Sequence, residues 1–285
     1  MKFSIITITS NRAHLIEETI ESVLNQTYQN FEYIIIDDGS TDNTKDVVMS
    51  FKEKRINYFK YTKQLKRSFL RNEGIRKAKG DIICILDSDD IWYKNKLDTL
   101  FEIFNTKKEV AFILHNVLKS NDCTIYKYKT DFYKNILNDV ISNNILPYPF
   151  YSFRKSILNT FEIYDENMVD GQHDFFLRIA SQINIYYCSK ILSFKKTHTE
   201  NISNTPRISA LINYDITLGK LLNQNKLTRR DYIRYRSKNY YKIAKFYFKA
   251  GEKENGIKYL NQILKETQFN KKIHLKSLIL KISNV

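Results

Sequence analysis

Two groups of aspartates follow apolar runs and form the most chemically informative pattern in the sequence. The pair at 37–38 comes directly after the run at 31–36, and the string DSDD at 87–90 comes directly after the run at 81–86. Acidic groups that share one edge of a sheet repel one another unless a cation or hydrogen-bond donors lie between them. Carboxylate oxygens suit Mg²⁺ and Mn²⁺, so the DSDD string predicts a divalent-cation site. The alternative is that these aspartates only cap the helix that follows.

The sequence lacks both of the glycine-rich loops that commonly hold nucleotide phosphates. No GxGxxG follows the first apolar run, and no GxxxxGK[ST] occurs anywhere in the chain. A nucleotide bound beside the aspartates would therefore be held through carboxylates and a metal ion.

Short β-rich runs alternate with helical patterns over the first 118 residues, and these elements must position the aspartates. Helices are predicted to begin near residues 15, 44 and 66, and strands are predicted at 3–9, 31–36, 56–61, 81–86 and 110–118. The alternation predicts an α/β fold with a mostly parallel sheet and helices on both faces. Ligands of such sheets bind outside the carboxyl ends of the strands, where both aspartate groups fall.

Charge divides the chain into two parts. The sequence has 46 Lys and Arg against 31 Asp and Glu, a net charge of +15, of which residues 201–285 contribute 18 basic and 5 acidic groups. Helical patterns in this part cover about 207–223, 229–250, 253–267 and 271–283. We therefore predict a catalytic domain over 1–204 and a basic, tetratricopeptide-like helical extension over 205–285.

The basic extension predicts an anionic partner. An anionic membrane surface is one such partner, which the basic helix predicted at 271–283 would contact, and a solvated basic face is the alternative. A nucleic-acid-binding protein would also explain the charge, but no nucleic-acid-binding motif is present and the acidic edge of the sheet opposes it.

Cysteine usage and hydropathy predict a cytoplasmic protein. The three cysteines are too scattered for a disulfide framework, and Cys84 lies in the apolar run IICIL, which predicts a buried free thiol. No apolar stretch approaches the roughly 20 residues of a spanning helix, and the N-terminal apolar run is too short for a signal peptide. We expect a peripheral position at the inner face of the membrane.

Three strings occur in order: SIITITSNR, LNQTYQNFEYIIIDDGSTDNT and RNEGIRKAKGDIICILDSDDIW. Residues 3–200 thereby resemble the family-2 glycosyltransferases of the GT-A fold. The resemblance implies a Rossmann-like domain that moves a sugar from a nucleotide-diphosphate donor, expected to be a UDP-sugar, with inversion at the anomeric carbon. It implies Mn²⁺ or Mg²⁺ as cofactor and a saccharide or lipid-linked saccharide as acceptor, with no nucleic acid involved.

The resemblance also implies a donor site. Asp38 would accept the imide N–H of uracil, and Arg71 would approach the nucleotide or its phosphates. Asp89 is the expected direct metal ligand with Asp87 beside it, and His198 in FKKTHTENIS would ligate the metal or contact the diphosphate. The full predicted donor set is Thr9, Asn11, Arg12, Asp38, Arg71, Asp87, Asp89 and Asp90. The family's usual Pro-Thr-Tyr-Asn appears here as Ile-Thr-Ser-Asn at 8–11, so the identity of the base stays open.

Inversion in one displacement needs a general base on the face of the sugar opposite the leaving group. The stretch YDENMVDGQHDFFLRIA resembles the family's base-bearing segment, although the usual Glu-Asp appears as His173-Asp174. We predict Asp174 as the base, with His173 orienting it or replacing it, and Asp170 as a weaker candidate. The alternative for Asp174 is a cap of the helix predicted at 175–181. This departure from the family pattern leaves open a nucleotide-sugar-binding relative without turnover.

Overall fold

In the computed structural model the chain forms two units, Met1–Asn201 and Ile202–Val285. The first unit contains a ten-stranded mixed sheet. The structure describes residues 1–62, 65–120, 124–125, 128–141, 150–197 and 208–266, together with 277 and 280. The strands are β1 Phe3–Thr9, β2 Phe31–Asp38, β3 Ile56–Tyr61, β4 Ile82–Ile85, β5 Asp90–Trp92, β6 Phe112–Lys119, β7 Thr124–Ile125, β8 Phe132–Lys134, β9 Tyr151–Arg154 and β10 Ile185–Lys195. The helices of the first unit are α1 Ala13–Leu24, α2 Thr44–Ser50, α3 Arg67–Lys77, α4 Lys96–Thr106, α5 Leu137–Ile141 and α6 Gln172–Ala180.

The parallel part of the sheet brings the two aspartate groups to one edge. Strand β1 lies between β2 and β4, and β3 flanks β2, all in parallel. Phe3 pairs with both Phe31 and Ile82, so the three parallel strands begin at the same level in the sheet and end at the same edge. The segments that follow β2 and β4 therefore leave the sheet side by side, as the alternation of elements predicts.

Helices cover both faces of this parallel part. Ile5 of β1 belongs to one apolar cluster with Ile20 of α1 and Leu100 of α4. The next residue, Ile6, faces α3, where a Cβ added to Gly74 would lie 2.4 Å from the Ile6 Cγ2 atom. Successive side chains of a strand point to opposite faces, so α3 packs on the face opposite α1 and α4. The fold class predicted from the sequence is confirmed.

The second half of the sheet is mixed. Strand β9 runs antiparallel between β4 and β6, while β10 is parallel to β6 and antiparallel to β5. Aromatic rings hold α6 against this half: the Phe176 ring is stacked with Tyr151 at 6.3 Å between ring centroids and tilted against Phe112 at 5.7 Å. The strand predicted at 110–118 is Phe112–Lys119, and the three-residue strand β5 was not predicted.

Three described helices form the second unit: α7 Ile208–Asn223, α8 Arg229–Lys249 and α9 Lys253–Glu266. Their apolar cluster includes Ile243 of α8 and Ile263 of α9. Arg236 of α8 crosslinks the helices, because its guanidinium lies 3.0 Å from Asp215 Oδ1 and 2.7 Å from Glu266 Oε1. Among the described residues, no helix is both long and apolar enough to cross a bilayer. The helix predicted at 271–283 lies outside the described residues apart from 277 and 280.

Candidate active site

The DSDD string forms a compact acidic cluster at the carboxyl edge of the sheet. Carboxylate oxygens of Asp87, Asp89 and Asp90 all lie within 4.8 Å of one another. Asp90 begins β5 and pairs with Lys195 of β10, whose Nζ atom is 3.8 Å from Asp90 Oδ2. Pairing between strands about a hundred residues apart thus fixes the buried carboxylate of Asp90 in place.

The electrostatics of this cluster fit a bound cation. Burial and the neighbouring charge of Asp89 raise the pKa of Asp87. Burial raises the pKa of Asp90 well above its ordinary value, although Lys195 partly opposes the shift. Neither oxygen of Asp90 accepts a side-chain hydrogen bond within the described part of the chain. Three carboxylates crowded in this way match the oxygen ligands that Mg²⁺ and Mn²⁺ require.

The loops after β1 and β2 are tied together by Asn11. Its backbone adopts a left-handed conformation, with φ of 52°, which Asn tolerates better than most residues. The Asn11 N–H donates to Ser40 Oγ at 2.9 Å, and Asn11 Oδ1 accepts from the N–H of Thr41 at 2.8 Å. The Arg12 N–H donates to Thr44 Oγ1 at 3.1 Å. The Thr9 Oγ1 atom is buried without a hydrogen-bond partner in the described residues.

The two aspartates after β2 have different environments. Asp37 is fully buried and accepts from the N–H of Ser40 at 2.8 Å and from the hydroxyl of Tyr58. Asp38 is half-buried and accepts from the N–H of Leu65 at 2.7 Å. Burial raises the pKa of Asp38, and the charge of Asp37 adds to the shift. Asp37 therefore holds the loop, whereas Asp38 is the accessible carboxylate.

Arg71 links the carboxyl edge of the sheet to the segment before α6. Its side chain is 4% exposed, and Nη1 donates to Asp170 Oδ1 at 2.8 Å and to the Asp170 carbonyl at 3.1 Å. Arg67 Nη1 lies 3.4 Å from the other oxygen of Asp170. Burial raises the pKa of Asp170, but the charges of Arg71 and Arg67 outweigh it and leave the pKa below its ordinary value. The charge of Asp87 also acts on Arg71, which places Asp170 on the same side of the site.

Asp174 lies inside the protein rather than on the open edge. Its side chain is 0% exposed, and Arg178 Nε donates to Asp174 Oδ2 at 2.7 Å along helix α6. Arg178 also donates to the carbonyls of Glu162 at 2.9 Å and Ile163 at 2.8 Å. Asp174 thus positions Arg178, which joins α6 to the preceding segment, and the half-buried His173 lies beside Asp174 in the first turn. His198 lies outside the described residues.

One buried group beneath the acidic cluster gave no signal in the sequence. Lys96 at the start of α4 is 1% exposed, and its Nζ atom donates to Ser193 Oγ at 3.0 Å and lies 3.9 Å from the ring centroid of Trp92. Burial lowers the pKa of Lys96 to about 7. In the sequence this lysine looks like an ordinary polar residue at the start of an amphipathic helix.

Comparisons with known proteins agree with this geometry. Residues 4–178 match the model of Glycosyl transferase family 2. An uncharacterized glycosyltransferase of Nostoc, alr2836, is 30% identical over 215 residues, which cover 71% of this chain and 64% of the relative. The Escherichia coli protein WfgD, a UDP-Glc:alpha-D-GlcNAc-diphosphoundecaprenol beta-1,3-glucosyltransferase, is 38% identical over 113 residues, which cover 40% of this chain and 44% of that protein. The chain thus spans less than two thirds of the length of these relatives.

A solved structure shows the same fold over the whole chain. Staphylococcus aureus TarS 1–349, crystallised with UDP-GlcNAc, superposes with a TM-score of 0.79 and 17% identity, covering 100% of this chain and 89% of that chain. At this identity the likeness establishes the fold alone.

Proposed function

The chain belongs to glycosyltransferase family 2 and has the GT-A fold, and from this premise we propose that it transfers a sugar from a UDP-sugar to a saccharide or lipid-linked saccharide acceptor. The observation that carries the proposal is the meeting of Asp38 with the Asp87–Asp90 cluster at one edge of the parallel sheet. The donor bound to TarS supports UDP as the nucleotide, and the activity of WfgD supports a lipid-linked acceptor.

The residues at the carboxyl edge of the sheet have different proposed roles in donor binding. Asp38 would accept the imide N–H of the base, beside the buried hydroxyl of Thr9 and the loop that Asn11 and Arg12 anchor. Asp87 and Asp89 would hold Mn²⁺ or Mg²⁺, with Asp90 behind them and His198 as a further predicted ligand. When bound, such an ion offsets the negative charge that develops on a diphosphate leaving group. Arg71 adds a fixed positive charge on the same edge.

For an inverting reaction we propose Asp170 as the general base, ahead of the predicted Asp174. A base must reach the acceptor hydroxyl, and 35% of the Asp170 side chain is exposed whereas Asp174 is enclosed and paired with Arg178. The ion pairs of Asp170 with Arg71 and Arg67 lower its pKa and keep it ionised, which is the form that a general base needs. Asp174 and His173 remain the alternative general base. For Asp174 to accept a proton from an acceptor hydroxyl, Arg178 would have to move away from its carboxylate.

The second candidate function is nucleotide-sugar binding without turnover. The observation that favours it is the enclosure of Asp174, because the carboxylate predicted as the base is then paired with Arg178 and closed to an acceptor hydroxyl. Under either function we propose a cytoplasmic protein that meets its acceptor at the inner face of a membrane.

Donor binding is tested by thermal unfolding with UDP, UDP-Glc, UDP-GlcNAc and GDP-Man, each with Mn²⁺ or with EDTA. A ligand at a hundred times its Kd stabilises the folded state by about 2.7 kcal/mol, so a clear Tm increase is expected with a uridine nucleotide and Mn²⁺. Asp89→Asn should abolish the increase, whereas Asp46→Asn on the exposed face of α2 should keep it. If no nucleotide changes the Tm of wild type, the proposed function is wrong.

Turnover is tested by release of UDP with GlcNAc-diphosphoundecaprenol as a trial acceptor, with hydrolysis of the donor as the second readout. Asp170→Asn should keep the Mn²⁺-dependent Tm increase but lose about 10²- to 10⁴-fold in rate, the usual contribution of a general base. Loss of rate in a stable Asp174→Asn protein would return the base to Asp174. Binding without turnover in wild type would favour the second candidate function.

A further inference from the structure

One face of helix α8 is a continuous row of cations. Among the exposed basic residues of this helix, six follow one another at intervals of three or four positions: Arg230, Arg234, Lys238, Lys242, Lys245 and Lys249. This spacing keeps all six within about a third of the helix circumference. At 1.5 Å per residue the row extends over about 28 Å. We call these six residues the α8 basic face.

The opposite side of α8 is neutralised and packed. Ile243 and Ala244 are buried in the apolar cluster of the second unit, and Arg236 has two acidic partners, Asp215 and Glu266. Within the described part of the chain, none of the six residues of the α8 basic face forms an ion pair. The acidic partners of Arg236, Asp215 and Glu266, thus lie on the inner side of α8.

The α8 basic face is electrostatically unfavourable for the protein alone. Like charges four residues apart on a helix repel each other. Burial lowers the pKa of Lys238, and the charges of Arg234 and Lys242 lower it further. Binding of a polyanion that neutralises such a row therefore lowers the free energy of the protein.

We propose that the α8 basic face docks on the surface of an anionic lipid bilayer. The choice of a bilayer rests on the proposed function, because a lipid-linked acceptor is presented at that surface. The shape of the face also favours it, because a row of about 28 Å confined to one third of the helix circumference can lie along a plane of headgroup phosphates. Single-stranded nucleic acid is the less fitting polyanion, because the described aromatic residues of α8 are buried or half-buried and offer no exposed ring for base stacking.

The test is sedimentation of the 285-residue chain with vesicles of phosphatidylcholine alone or with 30% phosphatidylglycerol, at about 0.15 M salt, where the Debye length is about 8 Å. The test variant carries Arg234→Gln, Lys238→Gln and Lys242→Gln. The control variant carries Lys45→Gln, Lys54→Gln and Lys108→Gln, three exposed lysines of the first unit, and has the same net charge. Glutamine keeps helix propensity, and circular dichroism checks that both variants fold.

Wild type should bind the anionic vesicles and not the neutral ones. Since each basic residue near an anionic surface contributes about 1 kcal/mol, the test variant should bind about a hundredfold more weakly and the control variant nearly as well as wild type. Failure of wild type to bind, or an equal loss in both variants, would overturn the proposal. Tighter binding to single-stranded RNA than to the vesicles at the same salt would overturn it in favour of nucleic acid. None of these measurements uses a sugar nucleotide, so they stand apart from the Tm test of the proposed function.

Discussion

Replacing Lys96 with methionine should remove a pH dependence of stability that its buried ammonium group creates. Lys96 is 1% exposed, and burial lowers its pKa to about 7, whereas an unfolded lysine has a pKa of about 10.4. Between these values the unfolded chain binds a proton that the folded protein does not. The cost to folding is therefore largest near and below pH 7, and stability rises as the pH increases towards 10.

The magnitude follows from the size of the pKa shift. One pKa unit corresponds to about 1.4 kcal/mol, so Lys96 lowers the free energy of unfolding by about 4 kcal/mol at pH 7 and about 2 kcal/mol at pH 9. Methionine removes this cost but also removes the hydrogen bond to Ser193, which contributes about 1 kcal/mol. The Lys96→Met variant should then exceed wild type by about 3 kcal/mol at pH 7 and by about 1 kcal/mol at pH 9.

Urea unfolding in EDTA at pH 7, 8 and 9 measures this difference, with the exposed Lys94→Met as the matched control. Burial raises the pKa of the Cys84 and Cys188 thiols to about 11, so both lower stability as the pH rises. The Cys188 effect is common to all three proteins and cancels in the differences between them. The charge of Lys96 lowers the pKa of Cys84, so the comparison of pH 7 with pH 8, where thiols are mostly protonated, separates the Lys96 effect from that of Cys84. A Lys96→Met advantage that stays constant from pH 7 to 9 would refute the reasoning, because it would mean that folding leaves the pKa of Lys96 unchanged.

Two further changes test packing around the site. Gly74→Ala should destabilise the protein by about 1–3 kcal/mol, because the new Cβ would lie 2.4 Å from Cγ2 of the buried Ile6. Gly219→Ala in α7 should be neutral or stabilising, because its new Cβ would meet no packing neighbour within 4 Å among the described residues. A loss at both positions in thermal unfolding would contradict the packing argument. Asp174→Asn should cost about 3 kcal/mol in urea unfolding because it leaves the charge of the mostly buried Arg178 without its partner, and unchanged stability would exclude this structural role.

The sequence predicted the parallel half of the sheet and its edge with good accuracy. Strands β1 and β3 have the predicted bounds, because uninterrupted apolar and β-branched runs identify a buried strand without reference to the rest of the chain. The position of the Asp87–Asp90 cluster followed from the same information, since residues that come after a parallel strand lie at its carboxyl edge. Strand β5 was missed because three residues that include Asp90 carry no periodicity, and only pairing with β10 makes them a strand.

The sequence by itself therefore determined the order of the elements, the edge at which the carboxylates gather and the separation of a near-neutral body from a basic extension. Only the tertiary structure decided which side chains meet. Arg71 reaches Asp170 across 99 positions, and Lys96 reaches Ser193 across 97. Hydrophobic periodicity along a helix or strand indicates which of its faces is buried, and this information is local in the sequence. Partners of buried charges depend on strand order and helix packing, and these arise only when the whole chain has folded.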